Sequence, residues 1–527
     1  MLKPACLTLA LLLATTSAAA QTITKLVPGS AFHGVHGIRF SPTGELYAGS
    51  VAGQTLYAVN VETGTVRIVE GPPQGMADDI AFGPGGQVVW TAISDNMVYT
   101  RRGAGPVEVL AKDMPGANSV AVSRDGKRLF LGQVFAGDGV WELDFAGIKP
   151  PRRITGPVGG FNSFSVGPDG ALYGPLWFKG QIARIDPDTG QVSVVAEGFQ
   201  TPAAAKFDSK DNLWVIDTKV GVLYRVDIKT GSKTKIAQLS NSLDNIAISP
   251  DDRIFVSNMA DNGIQEVNPI TGAKRQVVRG ALAFPSDIDV HSEGGLDRLY
   301  VADVFAYRSV NGSSGAVTDI ARMHGDAELE YPTAVSVNGD HVILTSGVAG
   351  GVQVMDRVSG HRLKVVDGFK GPADAVELPG GDLLVLENGT GALIRVSGET
   401  RRTVASGLKA PTGMARAANG AIYVAEAGAG RIARVNLASG AVSTFAGGFK
   451  RPTRVAMGPG GRVVVLDVGA RSVVEIGPKG GRTVLAKDLP VGQLPGNSPW
   501  GAGVAVGAGG EVYVASDVEN AIYKITR

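Results

Sequence analysis

Cysteine is almost absent from this sequence of 527 residues, since Cys6 is the only one. It lies in a stretch with the pattern of a secretory signal: Lys3, a following apolar run and three alanines up to Ala20. Cleavage before Gln21 would leave a mature chain with no disulfide and no thiol nucleophile. We therefore expect residues 1–20 to be a signal peptide and the protein to be periplasmic or secreted.

The sequence also has almost no net charge, and the chain after residue 20 has no long apolar run. It has 50 Lys and Arg residues against 49 Asp and Glu residues, and loss of Lys3 with the signal leaves 49 of each. This balance gives no general attraction to nucleic acid or to anionic lipid. Apolar stretches in the mature chain are of strand length, far below the roughly 18 to 20 residues that a membrane-spanning helix needs. We expect a soluble protein with no nucleic-acid partner and no membrane span.

Several catalytic signatures are missing as well. There is no glycine-rich phosphate loop, no GxSxG nucleophile elbow, no HExxH metal motif, no cysteine cluster and no haem-attachment motif. Histidine is scarce, with six in the whole sequence. The enzyme classes that depend on these motifs are excluded.

One short repeat is abundant, and many of the 73 glycines lie at its turns. Each copy has an apolar strand, a Pro/Asp/Gly turn and a second apolar strand, as in NSVAVSRDGKRLFLGQ from Asn118 and DNIAISPDDRIFVSN from Asp244. Two further strands follow in each copy, joined by turns such as DPDTG. The repeat occurs twelve times at a mean spacing of about 42 residues, the length of one propeller blade. We predict an all-β fold of tandem β-propellers with twelve four-stranded blades.

The outer strands indicate how the blades close into rings. Twelve blades in one ring would leave a very wide hole, so we expect two six-bladed propellers, residues 21–272 and 273–527, with a seven-plus-five division as the alternative. The twelfth copy lacks its outer strand, while an unpaired strand stands at Thr22 to Val27. In the equal division we expect this strand to complete the sixth blade, and the strand at Lys274 to Val278 to complete the twelfth.

The start of each inner strand marks the face of a propeller where ligands usually bind. In the first ring these positions hold mostly oxygen- and nitrogen-bearing side chains, with Asn245 adjacent: His36, Asp78, Asn118, Asn162, Ala203 and Asp244. Such a set suits a hard divalent cation such as Ca²⁺, although Asp and Asn also serve as turn residues. We predict a metal site formed by Asp78, Asn118, Asn162, Asp244 and Asn245.

The second ring has a different irregularity. Its strand-start positions, which include Asp374, form a weaker metal set, but four of its second strands end in acids: Asp303, Glu387, Glu426 and Asp467. Carboxylates that face one cavity raise each other's pKa and can provide acid–base catalysis or bind a cation. Alternatively, these acids accept hydrogen bonds from turn amides.

Three histidines and two tryptophans fall on the candidate face. His33 and His36 are the candidates for a general base that activates water, and His324 lies in a similar connection. Trp177 and Trp500 are candidates for an apolar wall beside a substrate.

The repeats from Asn118 and Asp244, together with RPTRVAMGPGGRVVVLDVGARSVVEI, resemble a superfamily of β-propeller proteins. It comprises senescence-marker-protein/gluconolactonase proteins, paraoxonase-like lactonases, strictosidine-synthase-like proteins and NHL-repeat proteins. The resemblance implies a six-bladed catalyst with a divalent metal on its axis. By motif, Asn118 matches a metal-binding Asn, and the pair Asp244 and Asn245 resembles that of the paraoxonase-like branch. The chain departs at two positions, with His36 in place of Glu and Ala203 in place of Asp.

Three functions fit these observations. The first is a metal-dependent, lactonase-like hydrolase that acts on a lactone or ester at the first ring's axis. The second is a non-catalytic scaffold that binds a protein, peptide or glycan, since propellers host many unrelated roles. The third is a lyase of the streptogramin-cleaving type.

Overall fold

The computed structural model describes residues 21–494 and 500–526, so the predicted signal peptide lies outside the described residues. The described chain forms 48 strands in twelve four-stranded antiparallel sheets. Three short 3₁₀ helices occur at Pro84–Gly86, Ile93–Asp95 and Pro459–Gly461. Residues 21–494 and 500–526 contain no α-helix. The predicted all-β fold of twelve blades is confirmed.

The first six sheets each use four consecutive strands. Their bounds are β2 Ile38–Phe40, β3 Leu46–Ser50, β4 Thr55–Val59 and β5 Val66–Glu70; β6 Ile80–Phe82, β7 Gln87–Ala92, β8 Met97–Arg102 and β9 Glu108–Ala111; β10 Ala117–Val122, β11 Leu129–Gln133, β12 Val140–Leu143 and β13 Arg152–Thr155; β14 Ser165–Val166, β15 Leu172–Leu176, β16 Gln181–Ile185 and β17 Val192–Ala196; β18 Pro202–Phe207, β19 Leu213–Asp217, β20 Val222–Val226 and β21 Lys233–Gln238; β22 Leu243–Ile248, β23 Ile254–Asn258, β24 Gly263–Val267 and β25 Lys274–Val278.

The next five sheets follow the same rule, and the twelfth takes its outer strand from the start of the described chain. Their bounds are β26 Asp287–Glu293, β27 Leu296–Ala302, β28 Ala306–Asn311 and β29 Val317–Arg322; β30 Ala334–Asn338, β31 His341–Ser346, β32 Gly351–Asp356 and β33 Arg362–Val366; β34 Pro372–Glu377, β35 Leu383–Glu387, β36 Ala392–Ser397 and β37 Thr400–Ala405; β38 Pro411–Arg416, β39 Ile422–Glu426, β40 Arg431–Val435 and β41 Val442–Gly447; β42 Pro452–Gly458, β43 Arg462–Asp467, β44 Ser472–Ile476 and β45 Arg482–Ala486; β46 Gly503–Val506, β47 Val512–Ser516, β48 Ala521–Thr526 and β1 Thr22–Val27.

Contacts between inner strands divide the sheets into two closed rings. In the first six sheets each inner strand packs against the next, and β22 packs back against β2. In the other six, β46 packs back against β26 in the same way. We call these groups the first ring and the second ring. Their apolar clusters lie between neighbouring sheets, so each ring is held together by burial of the sheet faces.

The outer strands of the sixth and twelfth sheets are the reverse of those predicted. The strand Thr22–Val27 pairs with Ala521–Thr526 in the twelfth sheet, whereas Lys274–Val278 stays in the sixth sheet beside Gly263–Val267. The first ring thus closes by packing alone, and the second ring closes with the first strand of the chain. In sequence the first ring is an insertion within the second.

Two local features account for this closure. The Asn268 side chain accepts hydrogen bonds from the backbone amides of Ile270 and Thr271 at 3.0 and 2.9 Å, which forms a tight turn between β24 and β25. Val27 is fully buried in an apolar cluster of the second ring that includes Leu282 and Ile522. The hairpin therefore keeps β25 in place, and burial of Val27 directs β1 to the twelfth sheet.

No helix in residues 21–494 and 500–526 is long and apolar enough to cross a bilayer.

Candidate functional site

The axis of the first ring carries a cluster of polar side chains at the starts of the inner strands. We call Asp78, Asn118, Asn162 and Asp244 the axial cluster. A carboxylate oxygen of Asp78 accepts a hydrogen bond from the Asn118 side-chain amide. The carboxylate of Asp244 receives neither a hydrogen bond nor an ion pair from the residues that the structure describes. The cluster thus contains a carboxyl group without a direct hydrogen-bond or ion-pair partner.

The two carboxyl groups of the axial cluster influence each other's ionisation. Burial raises the pKa of Asp78 well above its ordinary value, and the charges of Asp244 and Asp79 raise it further. Burial and the charge of Asp79 also raise the pKa of Asp244 to about 8, against the opposing effect of Lys206. Because like charges are close together here, a cation in this place would favour the ionised form of both groups.

Asp79 and Asn245 lie one residue further along their strands and serve the framework instead. The Asn245 side chain donates to Asp79 at 3.2 Å, and its oxygen accepts from the Ser163 hydroxyl at 2.8 Å. The ammonium of Lys206 lies 3.6 Å from the Asp79 carboxylate, and burial lowers the Lys206 pKa to about 8. Asn245, which the sequence predicts to be a metal ligand, is thus occupied by hydrogen bonds across the ring.

The two candidate bases have different environments. His33 uses both ring nitrogens, with the Tyr57 hydroxyl and the Asp517 carbonyl oxygen each at 3.1 Å. Because Asp517 belongs to the second ring, His33 links the two rings. His36 Nδ1 lies 3.0 Å from the Gly34 carbonyl oxygen, which can only accept, and 3.5 Å from the Val51 amide nitrogen, which can only donate. The shorter contact favours a proton on Nδ1, and this tautomer leaves the lone pair of Nε2 available. Burial lowers the pKa of His36 to about 4, which keeps it neutral at pH 7.

Residues 323–331 of the second ring cover the axial cluster, and we call them the cover segment. The Ser242 hydroxyl of the first ring donates to the Met323 carbonyl oxygen at 2.6 Å. Burial raises the pKa of Tyr331, and the charges of Asp78 and Asp244 raise it further, so its phenol stays protonated beside them. His324 is predicted from the sequence to lie on this face, whereas Tyr331 is not among the predicted site residues.

The cover segment is held in an unusual backbone conformation. His324 and Tyr331 have φ angles of 59° and 36°, in the left-handed region that residues other than glycine rarely adopt. Strain of this kind occurs at functional sites when the surrounding structure fixes it. Here the His324 ring lies 5.4 Å from that of Trp177, and the Tyr331 ring lies 6.1 Å from that of Phe305.

Aromatic side chains form a rim beside the cover segment. Phe135 and Phe178 are 54% and 61% exposed, and the Phe135 ring lies 5.6 and 5.9 Å from the rings of Trp177 and Phe178. Trp177 therefore forms part of an apolar wall next to the cover segment. Trp500, the other candidate for such a wall, lies at a cavity of the second ring.

The acids that end second strands in the second ring accept hydrogen bonds from backbone amides of the preceding connection. Asp303 accepts from Phe284 at 2.6 Å, Glu387 from Lys370 at 2.9 Å, Glu426 from Lys409 at 2.7 Å and Asp467 from Lys450 at 2.8 Å. None of the four is among the described residues that line the second ring's axial cavity. This geometry is that of the turn alternative rather than of a shared catalytic centre.

Asp374 also binds backbone amides. Asp374 pairs with Leu386 of the second strand, just as Arg454 pairs with Leu466, so the two residues occupy equivalent positions in their sheets. Both lie one residue beyond the strand-start position. The Asp374 carboxylate accepts from the Ala375 and Met414 amides at 2.8 Å each. Asp374 thus ties the ninth sheet to the tenth.

The donor set of the axial cluster determines which ions it suits. No group of three or more His, Cys, Asp or Glu side chains that could hold a metal occurs in the described parts of the chain. The axial cluster instead offers two carboxylates and the side-chain oxygens of Asn118 and Asn162, the hard ligands that Ca²⁺ accepts together with water. The Asn162 oxygen also accepts a hydrogen bond from the Ser163 amide at 2.8 Å. The unpartnered carboxylate of Asp244 beside Asp78 fits a divalent cation.

Comparisons with known proteins give a short match and distant structural neighbours. No family model matches the chain. An L-arabinolactonase from Azospirillum brasilense is 27% identical over 111 residues, which are 20% of this chain and 37% of that protein. The match thus spans little more than a third of the curated relative's length.

Among solved structures, the extracellular domain of a putative hybrid two-component system from B. thetaiotaomicron is 11% identical, with a TM-score of 0.36 and coverage of 96% of this chain and 83% of that one. Virginiamycin B lyase from Staphylococcus aureus is 13% identical, with a TM-score of 0.25 and coverage of 62% and 94%. The twelve sheets make the chain a tandem β-propeller protein, and over a short stretch it is similar to a lactonase.

Proposed function

We propose that this protein is a lactonase-like hydrolase, secreted or periplasmic, whose reaction centre is the axial cluster of the first ring. The observation that carries the proposal is the pairing of two mutually repelling carboxyl groups, Asp78 and Asp244, with a neutral histidine whose Nε2 is free. Perturbed carboxyls beside such a histidine are a frequent feature of catalytic sites. The short similarity to a lactonase supports the same reaction class.

The axial cluster would hold a divalent cation, with Ca²⁺ the first candidate. The ligands would be the carboxylates of Asp78 and Asp244 and the amide oxygens of Asn118 and Asn162. When bound, the cation would supply polarisation of the substrate carbonyl and stabilisation of the negative charge that develops on its oxygen.

The protein's own side chains provide the remaining functions. His36 Nε2 accepts a proton as water adds to the lactone carbonyl, and it returns that proton to the alkoxide when the ring C–O bond breaks. The protonated phenol of Tyr331, which feels the charges of Asp78 and Asp244, would donate a hydrogen bond to a substrate bound in the cluster. Trp177 and Phe135 receive the apolar part of the substrate, and the cover segment limits access of bulk water.

A panel of lactones and esters, assayed with the purified protein before and after chelation, tests this proposal. His36→Gln should lower kcat by about 10²- to 10⁴-fold, as expected for loss of a general base. Asn118→Ala should lower both metal content and turnover. His361→Gln is the matched control, because His361 is exposed and lies at a turn between outer strands.

The outcomes separate the parts of the proposal. Full activity after removal of all metal would refute the cation, and full activity of His36→Gln would refute the base. Absence of turnover on every substrate by a folded protein would favour the binding scaffold. Products formed by elimination, detected by mass spectrometry, would favour a lyase.

A further inference from the structure

A cavity of about 270 Å³ lies at the axis of the second ring, on the face where the inner strands begin. It is distinct from the axial cluster, because all its lining residues belong to the second ring. Small residues such as Gly371 and Ala502 leave the space open, and the charged lining side chains are Arg451, Arg454 and Asp517.

Arg454 forms the floor of this cavity and is largely satisfied by the protein. Its Nε lies 3.1 Å from a carboxylate oxygen of Asp287. Its two terminal nitrogens donate to the backbone oxygens of Thr412 and Thr333, the latter at 3.2 Å. The guanidinium is therefore fixed in position, and its charge is balanced by Asp287.

Arg451 differs, because its guanidinium has neither an ion pair nor a hydrogen bond with any residue that the structure describes. Its Nε is buried and has no hydrogen-bond partner within that part of the chain. The carboxylate of Asp517 is already bound to the backbone amides of Gly492 and Gln493, at 2.8 and 3.0 Å. The Arg451 side chain is half-buried, and its charge interacts with that of Asp517 without a direct contact. Because the Asp517 carboxylate is held by backbone amides and the buried Arg451 Nε lacks an acceptor, the cavity favours an anion.

Other lining groups indicate which functional groups the anion has in addition to its negative charge. The Thr453 hydroxyl is buried and has no partner among the described residues. Asn388 donates to the Pro411 carbonyl oxygen at 3.0 Å, which leaves its own side-chain oxygen available to a ligand donor. These groups match hydroxyls on a small molecule, and Leu494 supplies an apolar surface.

We propose that this cavity binds a small hydroxy carboxylate. The Arg451 guanidinium would hold the carboxylate, since its planar fork matches two carboxylate oxygens, and Thr453 and Asn388 would bind hydroxyl groups. The site does not depend on the hydrolase proposed for the first ring, so either proposal can fail without the other.

Isothermal titration calorimetry with L-threonate as the probe tests this site, with threitol as its neutral counterpart. Threonate should bind with a stoichiometry near one per chain, and threitol should bind far more weakly. Arg451→Gln should weaken threonate binding by at least about tenfold, the effect of losing a charge-assisted pair. Arg434→Gln, on the exposed surface of the same ring, should leave it unchanged.

Thr453→Val provides a second variant of nearly the same shape, which should fold normally and weaken threonate binding several-fold. It decides the question if Arg451→Gln does not fold. Lack of threonate binding at millimolar concentration, equal binding of threitol, or wild-type affinity in both variants would overturn the proposal. Inorganic phosphate that bound without any binding of threonate would also overturn it.

Discussion

The pairing of the first strand with the last can be tested by a disulfide, because the chain from Gln21 onward contains no cysteine. Thr24 and Lys524 are Cα partners across β1 and β48, and both side chains are accessible to solvent. We expect Thr24→Cys together with Lys524→Cys to form a disulfide on mild oxidation. Direct partners in antiparallel strands are close enough for this bond.

The expected stabilisation follows from the length of chain that the bond would close. The two positions are 500 residues apart, and the loop-entropy relation then gives about 6 kcal/mol as an upper value. Strain in the folded state reduces such gains, so the measured increase should be smaller. It should appear in the unfolding of the second ring and vanish on reduction.

Free-thiol titration and peptide mapping report the bond, and calorimetric scans with and without reductant report its effect. Gln265→Cys with Gln276→Cys is the positive control, because these residues are Cα partners within the sixth sheet. The pairing expected from the sequence instead makes Thr24 part of the outer strand of the sixth sheet. A disulfide between Thr24→Cys and Gln265→Cys, with none to Lys524→Cys, would refute the closure described here.

Three further outcomes are expected. Arg308→Met should lower the free energy of unfolding by about 3 to 5 kcal/mol, because it leaves the buried Asp303 carboxylate without its cation. Arg402→Met, at an exposed position, should have little effect, and chemical denaturation measures both variants. Burial raises the pKa of Asp244 to about 8, so the folded state keeps a proton that the unfolded chain loses, and stability should fall between about pH 4 and 8. In the presence of chelator, Asp244→Asn should lose less stability than the wild type over this pH range, and added Ca²⁺ should restore stability at pH 8 in the wild type only. If the melting temperatures of the two proteins changed in parallel with pH, the assignment of this loss to Asp244 would be contradicted. Gly37→Ala should impair turnover and lower the melting temperature, since its methyl group would lie 2.2 Å from a backbone oxygen of the next sheet, and an unchanged protein would contradict this close approach.

The blades were predictable from the sequence because the signal is local and repeated. Turns such as that at Asn268 fix which strands are neighbours within a sheet. The closure was not predictable in this way. The segments Thr22–Val27 and Lys274–Val278 both read as partly exposed outer strands, and the choice between them depends on where Val27 is buried, a contact with residues far along the chain.

The axial cluster was partly predictable, because Asp78, Asn118 and Asp244 share one position of the repeat. The cover segment was not, since Tyr331 reaches the cluster only through the packing of one ring on the other. Lys206 was missed although the sequence holds a clue: a lysine stands in a strand that is otherwise apolar, in AAAKF. A charged residue in such a strand is seldom buried without a partner, and here the partner is Asp79.

The cover segment has a consequence for biosynthesis and for protein engineering. All six sheets of the first ring are complete at Val278, so this ring can close while later residues are still being made. His324 and Tyr331 join the axial cluster only when the seventh sheet has formed and docked. An excised first ring would therefore lack these two residues of the axial site, and transplanting the proposed activity would require both rings together.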